Sequence, residues 1–360
     1  MKFKILGVIT AFTVGLFLVI FSLAQVSIKP SNPSSISIPS PNYTSTPSPK
    51  VSLIAVGDIS FSRSVEKEVK KKNDYNYPFL KVKDFLKTGD IVFGNLETPI
   101  TPGREIQSGE MIFRSNPQTA KALKEAGFTL VSLANNHTPN FGEKGLLDTF
   151  EYLSSQGIKY VGAGKNSHEA YSPVILESRG IKFAFFAYTD QNLVPSFYEA
   201  GENRAGTAFL KEERLRQEID KIRPKVDFII ISLHSGEEYT PQPNNRQTNF
   251  AHQAVDFGAG LVIGHHPHVV QTAEKYKDKY IFYSLGNFVF DQMWSQQTKQ
   301  GLAIKVDFSK EKLERISLFP VIIENFCQPR FAEEKEKEQI IKRLMLYNLN
   351  YENGIYYISH

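Results

Sequence analysis

The sequence has almost no cysteine and little net charge. Cys327 is the only cysteine in 360 residues, which excludes an intrachain disulfide framework and a cysteine-based zinc cluster. The formal net charge is +4, and the basic residues form no stripe interleaved with aromatic residues. Nucleic acid is therefore not an expected partner. The composition, 41% hydrophobic and 22% charged, is enough for a substantial buried core.

The longest uncharged run lies near the N-terminus, where Lys2 and Lys4 precede residues 5–26. About 20 apolar residues cross a bilayer as a helix, and flanking lysines keep the N-terminus cytoplasmic. We therefore expect residues 1–26 to anchor the chain in the cytoplasmic membrane, with the remainder outside the cytoplasm. The small residues that end at Ala24 leave a second interpretation open, a signal peptide cleaved after that residue and a secreted protein.

A stretch rich in serine, proline and threonine follows at residues 27–50. It has too few large apolar side chains to order itself, and its prolines favour an extended chain. We expect a disordered stalk there. The folded part is predicted to begin at Val51, with a main domain over 51–295 and C-terminal strands and a charged helix over 296–360 that complete it.

Apolar runs alternate with helical patterns from Val51 onward. The runs predict strands at 51–56, 91–93, 129–133, 159–162, 181–187, 227–233, 260–263 and 280–284. Helical patterns lie between several of them, at 117–126, 145–156, 212–222 and 249–257. Two further strand-like runs (301–308 and 316–323) and a charged helix (333–347) follow. Strands that alternate with helices predict an α/β fold.

Residues 260–271 are the most informative segment. An apolar run ends at Gly264, and His265, His266 and His268 follow directly. Neutral imidazole is the commonest protein metal ligand, and the spacing of the last two histidines puts both rings on one side of an extended chain. The alternative is a polar loop that happens to contain histidines.

Polar side chains follow the ends of several other predicted strands. Open α/β sheets bind their ligands at the carboxyl ends of strands. Carboxylate, carboxamide and imidazole together suit manganese, iron, zinc or magnesium better than copper. Each residue alone has an ordinary alternative, such as a helix cap or a buried core histidine. Together they predict a divalent metal ion held by Asp58, Glu97, Asn136, His234, His266 and His268.

Seven motifs in order resemble the bacterial capsule-synthesis family of CapA type, which is associated with poly-γ-glutamate production. They lie at 57–59 with Arg63, 94–97, 133–137 with 145–149, 162–164, 234–239, 264–271 and 283–288. The domain of that family looks like a calcineurin-type metallophosphoesterase. The resemblance therefore implies a layered, metallophosphatase-like β-sandwich flanked by helices, preceded here by the transmembrane helix.

The resemblance also implies roles for single residues. Asp58 looks like the metal ligand of the first strand, and Glu97 looks like a carboxylate that bridges metal ions. Asn136 resembles an amide ligand, and His137 resembles the catalytic imidazole that contacts substrate or leaving group. His234, His266 and His268 look like the remaining imidazole ligands.

Further positions are expected to contact the substrate. Arg63 is a catalytic candidate whose planar guanidinium could pair with a carboxylate or phosphate, although an ordinary surface arginine is the alternative. The substrate-binding candidates of the motifs are Asn135, Glu237, Tyr239, His265 and Asn287.

The sequence departs from the family pattern at three positions. Ser60 stands where the phosphoesterase pattern has a histidine, which leaves open whether one metal ion binds or two. Asn140 stands where an aspartate is usual, which removes a negative charge. Ser235 stands where a tryptophan is usual, which loosens one wall of the expected pocket.

Three functions remain open on this basis. The first is a membrane-anchored, metal-dependent hydrolase that acts on an anionic polymer, peptide or phosphoester in capsule synthesis or export. The second is a non-catalytic scaffold or accessory subunit that works with other capsule-synthesis subunits. The third is metal-assisted epimerisation at an amino-acid α-carbon, since metal plus imidazole also suits proton abstraction.

Overall fold

The computed structural model describes residues 49–359. The predicted membrane anchor and nearly all of the predicted stalk lie outside the described residues. Between residues 49 and 359, the helices are too short or too polar to cross a membrane.

Eighteen strands lie within the described range. In chain order they are β1 (Val51–Ile59), β2 (Ile91–Leu96), β3 (Leu130–Ser132), β4 (Lys159–Val161), β5 (Ala163–Gly164), β6 (Val174–Ser178), β7 (Ile181–Thr189), β8 (Gly206–Thr207), β9 (Phe228–His234), β10 (Leu261–His265), β11 (Ala273–Tyr276), β12 (Lys279–Phe282), β13 (Asn287–Val289), β14 (Gln300–Phe308), β15 (Leu313–Glu324), β16 (Gln328–Phe331), β17 (Asn350–Glu352) and β18 (Ile355–Ser359).

Eight α-helices connect these strands in the same range. They are α1 (Arg63–Lys72), α2 (Lys83–Leu86), α3 (Gln118–Ala126), α4 (Gly142–Ser155), α5 (Ser167–Tyr171), α6 (Glu212–Ile222), α7 (Asn245–Phe257) and α8 (Glu334–Arg343). Single 3₁₀ turns lie at Tyr77–Phe79, Ser196–Tyr198 and Arg223–Lys225.

The strands form two large sheets. The first has the order β17-β18-β15-β14-β1-β2-β3-β4, with β13 also paired to β1 and β16 to β15. In it, β1 to β4 run parallel, whereas β14 and β15 are antiparallel to their neighbours. The second sheet has the order β11-β12-β10-β9-β7-β6, and β7, β9, β10 and β12 run parallel. A small third sheet pairs β5 with β8.

The two large sheets pack face to face, and helices cover their outer faces. Phe93 of the first sheet lies against Phe185 of the second, with ring centroids 5.8 Å apart. Along β1, side chains alternate between this inner core and an outer core shared with α1, α3 and α4. Helices α6 and α7 cover the outer face of the second sheet. The predicted mixed α/β architecture is confirmed.

Several elements differ from the sequence-based prediction. The strand predicted at 91–93 continues to Leu96, and the helix predicted at 249–257 begins at Asn245. That earlier start follows from a capping box, in which the Asn244 and Gln247 side chains each accept a backbone N–H of the other. The short strands β6 and β13 were not predicted. Strands β14 and β15 belong to the same sheet as β1.

Two glycines permit close backbone approach at the ends of the central strands. A Cβ atom at Gly57 would lie 1.9 Å from the carbonyl oxygen of Gly286, and one at Gly264 would lie 1.9 Å from that of Tyr283. Both distances are far below van der Waals contact, so only glycine fits. Each glycine directly precedes a polar residue, Asp58 or His265, and thereby fixes where that side chain emerges.

We predict that Gly57→Ala destabilises the protein. The added methyl group would force β1 away from the Gly286 carbonyl, and overpacking of this kind costs roughly 1–3 kcal/mol or more. Chemical denaturation should show this loss in the free energy of unfolding. Gly260→Ala is the matched control, because the nearest atom to its Cβ would be 3.6 Å away. Equal stability of the two variants would contradict the assigned close approach.

Candidate metal centre

The structure brings the predicted polar side chains together at one edge of the sandwich. Asp58 ends β1, Glu97 follows β2, His234 ends β9, and His266 and His268 follow β10. Asn136 and His137 lie just after β3. These strands run parallel within their sheets, so their carboxyl ends lie at one edge of each sheet.

Glu97 lies at the centre of this cluster. It belongs to two groups whose candidate ligand atoms all lie within 4.8 Å of one another, one with His266 and His268 and one with Asp58 and His234. The Glu97 Oε1 atom is 3.6 Å from His268 Nε2 and 4.0 Å from His234 Nε2. This position, shared by both groups, is the one that a bridging carboxylate would occupy.

One oxygen of the Glu97 carboxylate is buried without a hydrogen bond. Its side chain has no exposed surface, and Oε1 has no hydrogen-bond partner within residues 49–359. Burial raises the pKa of Glu97 well above its usual value, although His268 acts in the opposite direction. A carboxylate oxygen that faces imidazole nitrogens in a dry site fits a divalent cation, because a buried charge must be paired. The two groups are therefore compatible with a metal site.

Asp58, in contrast, is well supplied with donors. Its Oδ1 accepts from Asn95 Nδ2 at 2.8 Å, and its Oδ2 accepts from the backbone N–H of His266 at 3.3 Å. Burial alone would raise the pKa of Asp58, but the close contacts of its carboxylate with His265 and His268, at 3.3 and 3.4 Å, hold it well below its usual value. Burial would lower the pKa of His268, but Glu97 and Asp58 together raise it to about 9. Without a metal ion, a proton on His268 thus partly compensates the two acids.

Asn95 is a site residue that the sequence prediction missed. Its Nδ2 lies 2.8 Å from Asp58 Oδ1, 3.3 Å from Glu97 Oε2 and 3.2 Å from His234 Nδ1. One amide therefore orients three candidate ligands. The signal for it in the sequence is the alternation of Asn95 with Glu97 at the end of β2, which puts both side chains on one face.

Two predicted substrate contacts, Asn135 and Asn287, are committed to the protein itself. Asn135 Oδ1 accepts from the backbone N–H groups of His137 and Thr138 and fixes the turn after β3. Asn287 lies 2.9 Å from His268 Nδ1 through its Oδ1, and its Nδ2 donates to the carbonyl oxygen of Thr298. These bonds favour a positioning role for both residues over a direct contact with substrate.

Two further substrate-binding candidates, His265 and Glu237, differ in how deeply they are buried. His265 is fully buried between the sheets, with its ring edge against Phe93 and its Nδ1 3.3 Å from Asp58 Oδ1. His265 therefore contacts Asp58 from the buried side of the cluster and does not face an open pocket. Glu237 is exposed, whereas the neighbouring Glu238 is half-buried and acts electrostatically on Glu97. Glu238 is accordingly the acid of this motif that faces the cluster.

Two contacts fix the orientation of the His137 ring. Its ring stacks on Phe113 with centroids 3.7 Å apart, and its Nδ1 lies 2.9 Å from Asn140 Oδ1. The same oxygen accepts the backbone N–H of Phe113, so we assign the imidazole proton to Nδ1. Nε2 is then the basic nitrogen, 3.9 Å from Glu97 Oε1. Burial lowers the pKa of His137 to about 4, so the ring is neutral at pH 7 in the metal-free protein.

Arg63 already has an acidic partner within the protein. Its guanidinium forms an ion pair with the buried carboxylate of Asp291 and lies over the ring of Phe113, 4.4 Å from the centroid. Asp291 also accepts the backbone N–H of Ser64 in the first turn of α1. Any pairing of Arg63 with substrate would therefore compete with this ion pair or use the guanidinium N–H groups that Asp291 leaves unused.

Four residues around the cluster have a strained backbone. Arg63, Tyr239, His266 and His268 have φ values of 53°, 62°, 97° and 56°, in the left-handed region that side chains other than glycine rarely adopt. Strain of this kind costs about 1–3 kcal/mol per residue and is typical of functional sites. Its occurrence at four neighbouring positions indicates that the geometry is imposed by the surrounding structure.

Comparison with known proteins now identifies the family. Residues 52–292, more than half of the chain, match the family described as bacterial capsule synthesis protein PGA_cap. The chain belongs to this family.

Two relatives support the assignment. The PGA_cap chain is 33% identical to the capsule biosynthesis protein CapA of Bacillus anthracis over 82% of its own length and 73% of that protein. It is 30% identical to the PGA biosynthesis protein CapA of Bacillus subtilis, over 82% and 78%. A calcineurin-like phosphoesterase of Bacillus subtilis is 12% identical, with a TM-score of 0.43 over 83% of this chain and 97% of that chain. The last likeness is too low to decide an activity.

We predict opposite effects of Glu97→Gln with and without a divalent cation. Because the folded state raises the Glu97 pKa, its ionisation destabilises the metal-free protein as the pH rises above the ordinary carboxyl pKa. The substitution should therefore raise Tm in EDTA at pH 7. With a cation at about 100 times Kd, the parent should gain about 2.7 kcal/mol, and the variant should lose most of this gain.

Glu237→Gln is the matched control for this experiment, since Glu237 is exposed and belongs to neither group. It should behave like the parent in EDTA and with added cation. A full metal-induced rise in Tm for Glu97→Gln would contradict the assignment of Glu97 as the shared ligand. Bound metal measured by mass spectrometry provides the second readout.

Proposed function

We propose that this PGA_cap protein is a metal-dependent hydrolase that cuts an anionic polymer or peptide chain during poly-γ-glutamate capsule synthesis or export. The observation that carries the proposal is the buried Oε1 of Glu97, which faces His268 and His234 and has no donor from the described chain. A structural carboxylate would be hydrogen-bonded. A buried carboxylate oxygen that has no hydrogen bond and lies at the ends of parallel strands fits a reactive centre.

The candidate ligands of the cation are Asp58, Glu97, Asn136, His234, His266 and His268. Asn136 Oδ1 lies 2.8 Å from His234 Nε2, so amide and imidazole point to the same place. When bound, a divalent cation such as Mn, Fe, Zn or Mg would lower the pKa of a water molecule and stabilise negative charge that develops on the substrate. Asn95, Asn287 and His265 hold the ligands in place.

His137 is the residue that would move a proton. Its neutral ring presents Nε2 to the cluster, so it can accept a proton from the attacking water and pass it to the leaving group. Burial keeps the imidazole neutral, and the Asn140 amide fixes the ring without adding a charge. An aspartate at position 140 would instead favour the protonated ring.

The location of the chemistry is part of the proposal. The uncharged run at residues 5–26 supports a single-pass anchor with a cytoplasmic N-terminus and an extracytoplasmic domain, or a secreted protein if the run is cleaved after Ala24. The names of the Bacillus relatives support a role in capsule biosynthesis, in which the protein would work alongside other capsule-synthesis subunits at the membrane. Protease added to intact spheroplasts should degrade the domain, and lasting protection would contradict this orientation.

The alternative is a non-catalytic scaffold of the polymer-synthesis complex. Ser60, at the position where the resembled pattern has a histidine, favours it: its hydroxyl is buried and has no partner in the described part of the chain. A site short of one imidazole could retain a single structural metal ion. Substitutions of Asn136 and His137 distinguish the two functions.

We predict that His137→Ala keeps the metal ion but abolishes function. A positioned acid or base typically contributes about 10²–10⁴-fold to the rate, so the loss should be plain. The measurement is complementation of a deletion strain, scored as surface polymer, together with metal content of the purified protein. Asn136→Ala should lower both metal content and function.

His168→Ala is the control, because His168 lies in α5 outside both candidate groups. It should restore polymer as the parent does. If His137→Ala also restores polymer fully whereas Asn136→Ala does not, the metal ion is structural. The hydrolase would then be the wrong function and the scaffold the right one.

A further inference from the structure

Two exposed aromatic side chains lie next to the metal cluster. Trp294, the only tryptophan in the sequence, is 61% exposed, and Tyr239 is 42% exposed. Their rings meet edge to face, with centroids 5.7 Å apart and an interplanar angle of 81°. An exposed apolar patch rimmed by polar residues is a candidate binding surface, and this one adjoins the cluster.

Tyr239 is tied to the candidate ligands by its backbone. Its N–H donates to the carbonyl oxygen of Pro267, between His266 and His268, at 2.8 Å. Its φ of 62° is strained for a bulky residue. The strain turns the Tyr239 ring toward that of His268, with centroids 6.4 Å apart and planes within 28° of parallel.

The segment that carries Trp294 is tied to the same histidine. Gln292 Nε2 donates to the Tyr239 hydroxyl at 3.3 Å, and Gln292 Oε1 accepts from Asn287 Nδ2 at 3.0 Å. Asn287 in turn holds His268. Trp294, Tyr239 and His268 therefore form a continuous series of rings from solvent to the cluster.

The charges around this series disfavour an anionic group, such as a phosphate or a carboxylate, placed directly on the rings. The groups that act on the Tyr239 hydroxyl are the acids Glu238 and Glu97 and one cation, Arg63. Arg63 is already paired with Asp291, so this part of the described structure supplies no spare cation. A neutral, flat group meets no such penalty, because amide planes and methylene groups pack well on aromatic faces.

We propose that Trp294 and Tyr239 form a stacking subsite for an amide-linked chain with short methylene segments, of the γ-linked glutamyl type. In this subsite the amide and methylene units lie on the rings, the carboxylates point to solvent, and the next amide reaches the cluster. The inference rests on the proposed function and names the residues that select its substrate chain.

The single tryptophan gives a direct assay. Full-length protein loaded with Zn²⁺ is titrated with tetra-γ-glutamate while the emission of Trp294 is recorded. The expected result is a saturable change in intensity or wavelength as the ring becomes covered. Inorganic phosphate and the neutral sugar maltotetraose are the comparison ligands and should leave the emission unchanged. An equal response to either of them would overturn the assignment of the ligand class.

Variants test the contribution of each ring. Equilibrium dialysis with labelled tetra-γ-glutamate should show affinity roughly 3- to 10-fold weaker for Trp294→Ala and near the parental value for Trp294→Phe. Tyr239→Gly should weaken binding similarly, and it relieves the strained φ, so misfolding does not explain a loss. Phe197→Ala, which removes an aromatic ring of equal exposure in a 3₁₀ turn, is the control.

Metal content separates this inference from the proposed function. All four variants should bind metal as the parent does. If metal binds and His137→Ala abolishes polymer, yet tetra-γ-glutamate leaves Trp294 emission unchanged, only the stacking subsite is wrong. If the parent binds no metal but the oligomer still covers Trp294, the hydrolase is wrong and the subsite stands.

Discussion

The burial of two carboxylates among imidazoles is the constraint on which the rest of the site depends. Asp58 is neutralised locally, by an amide, a backbone N–H and two histidines. Glu97 has fewer donors, because its Oε2 accepts from the Asn95 amide at 3.3 Å but its Oε1 meets only ring nitrogens at 3.6 Å or more. Amides rather than further charges hold the ligands, which leaves the net negative charge of the cluster for a cation to balance.

The sandwich explains how such a cluster is built. The first sheet supplies both carboxylates and the second supplies His234, His266 and His268. Neither sheet alone has a complete set of ligands, so packing of the inner faces, with Phe93 against Phe185, also assembles the site. The close backbone approaches at Gly57 and Gly264 fix the positions of the two strand ends, and with them the positions of the side chains that follow.

The sequence predicted the parts of the fold and site that depend on local pattern. Apolar runs located the strands that position the site, and the polar residues after them include every member of the two candidate groups. It could not predict contacts made across the chain. Phe113 reaches His137, and Asp291 reaches Arg63, from distant loops whose sequences carry no periodic signal. Asn135 and Asn287 were expected to face substrate because a motif shows residue type but not which hydrogen bonds the fold has already used.

The pairing of the first strand with a late one bears on how the protein is made. Val51 pairs with Phe308, so one edge of β1 stays open until nearly all of the described chain has been synthesised. Contacts between such distant segments form slowly, and an unpaired apolar edge invites association with other chains. A polypeptide that emerges N-terminus first would therefore expose this edge throughout its synthesis, and a chaperone that shields β1 would raise the yield of folded protein.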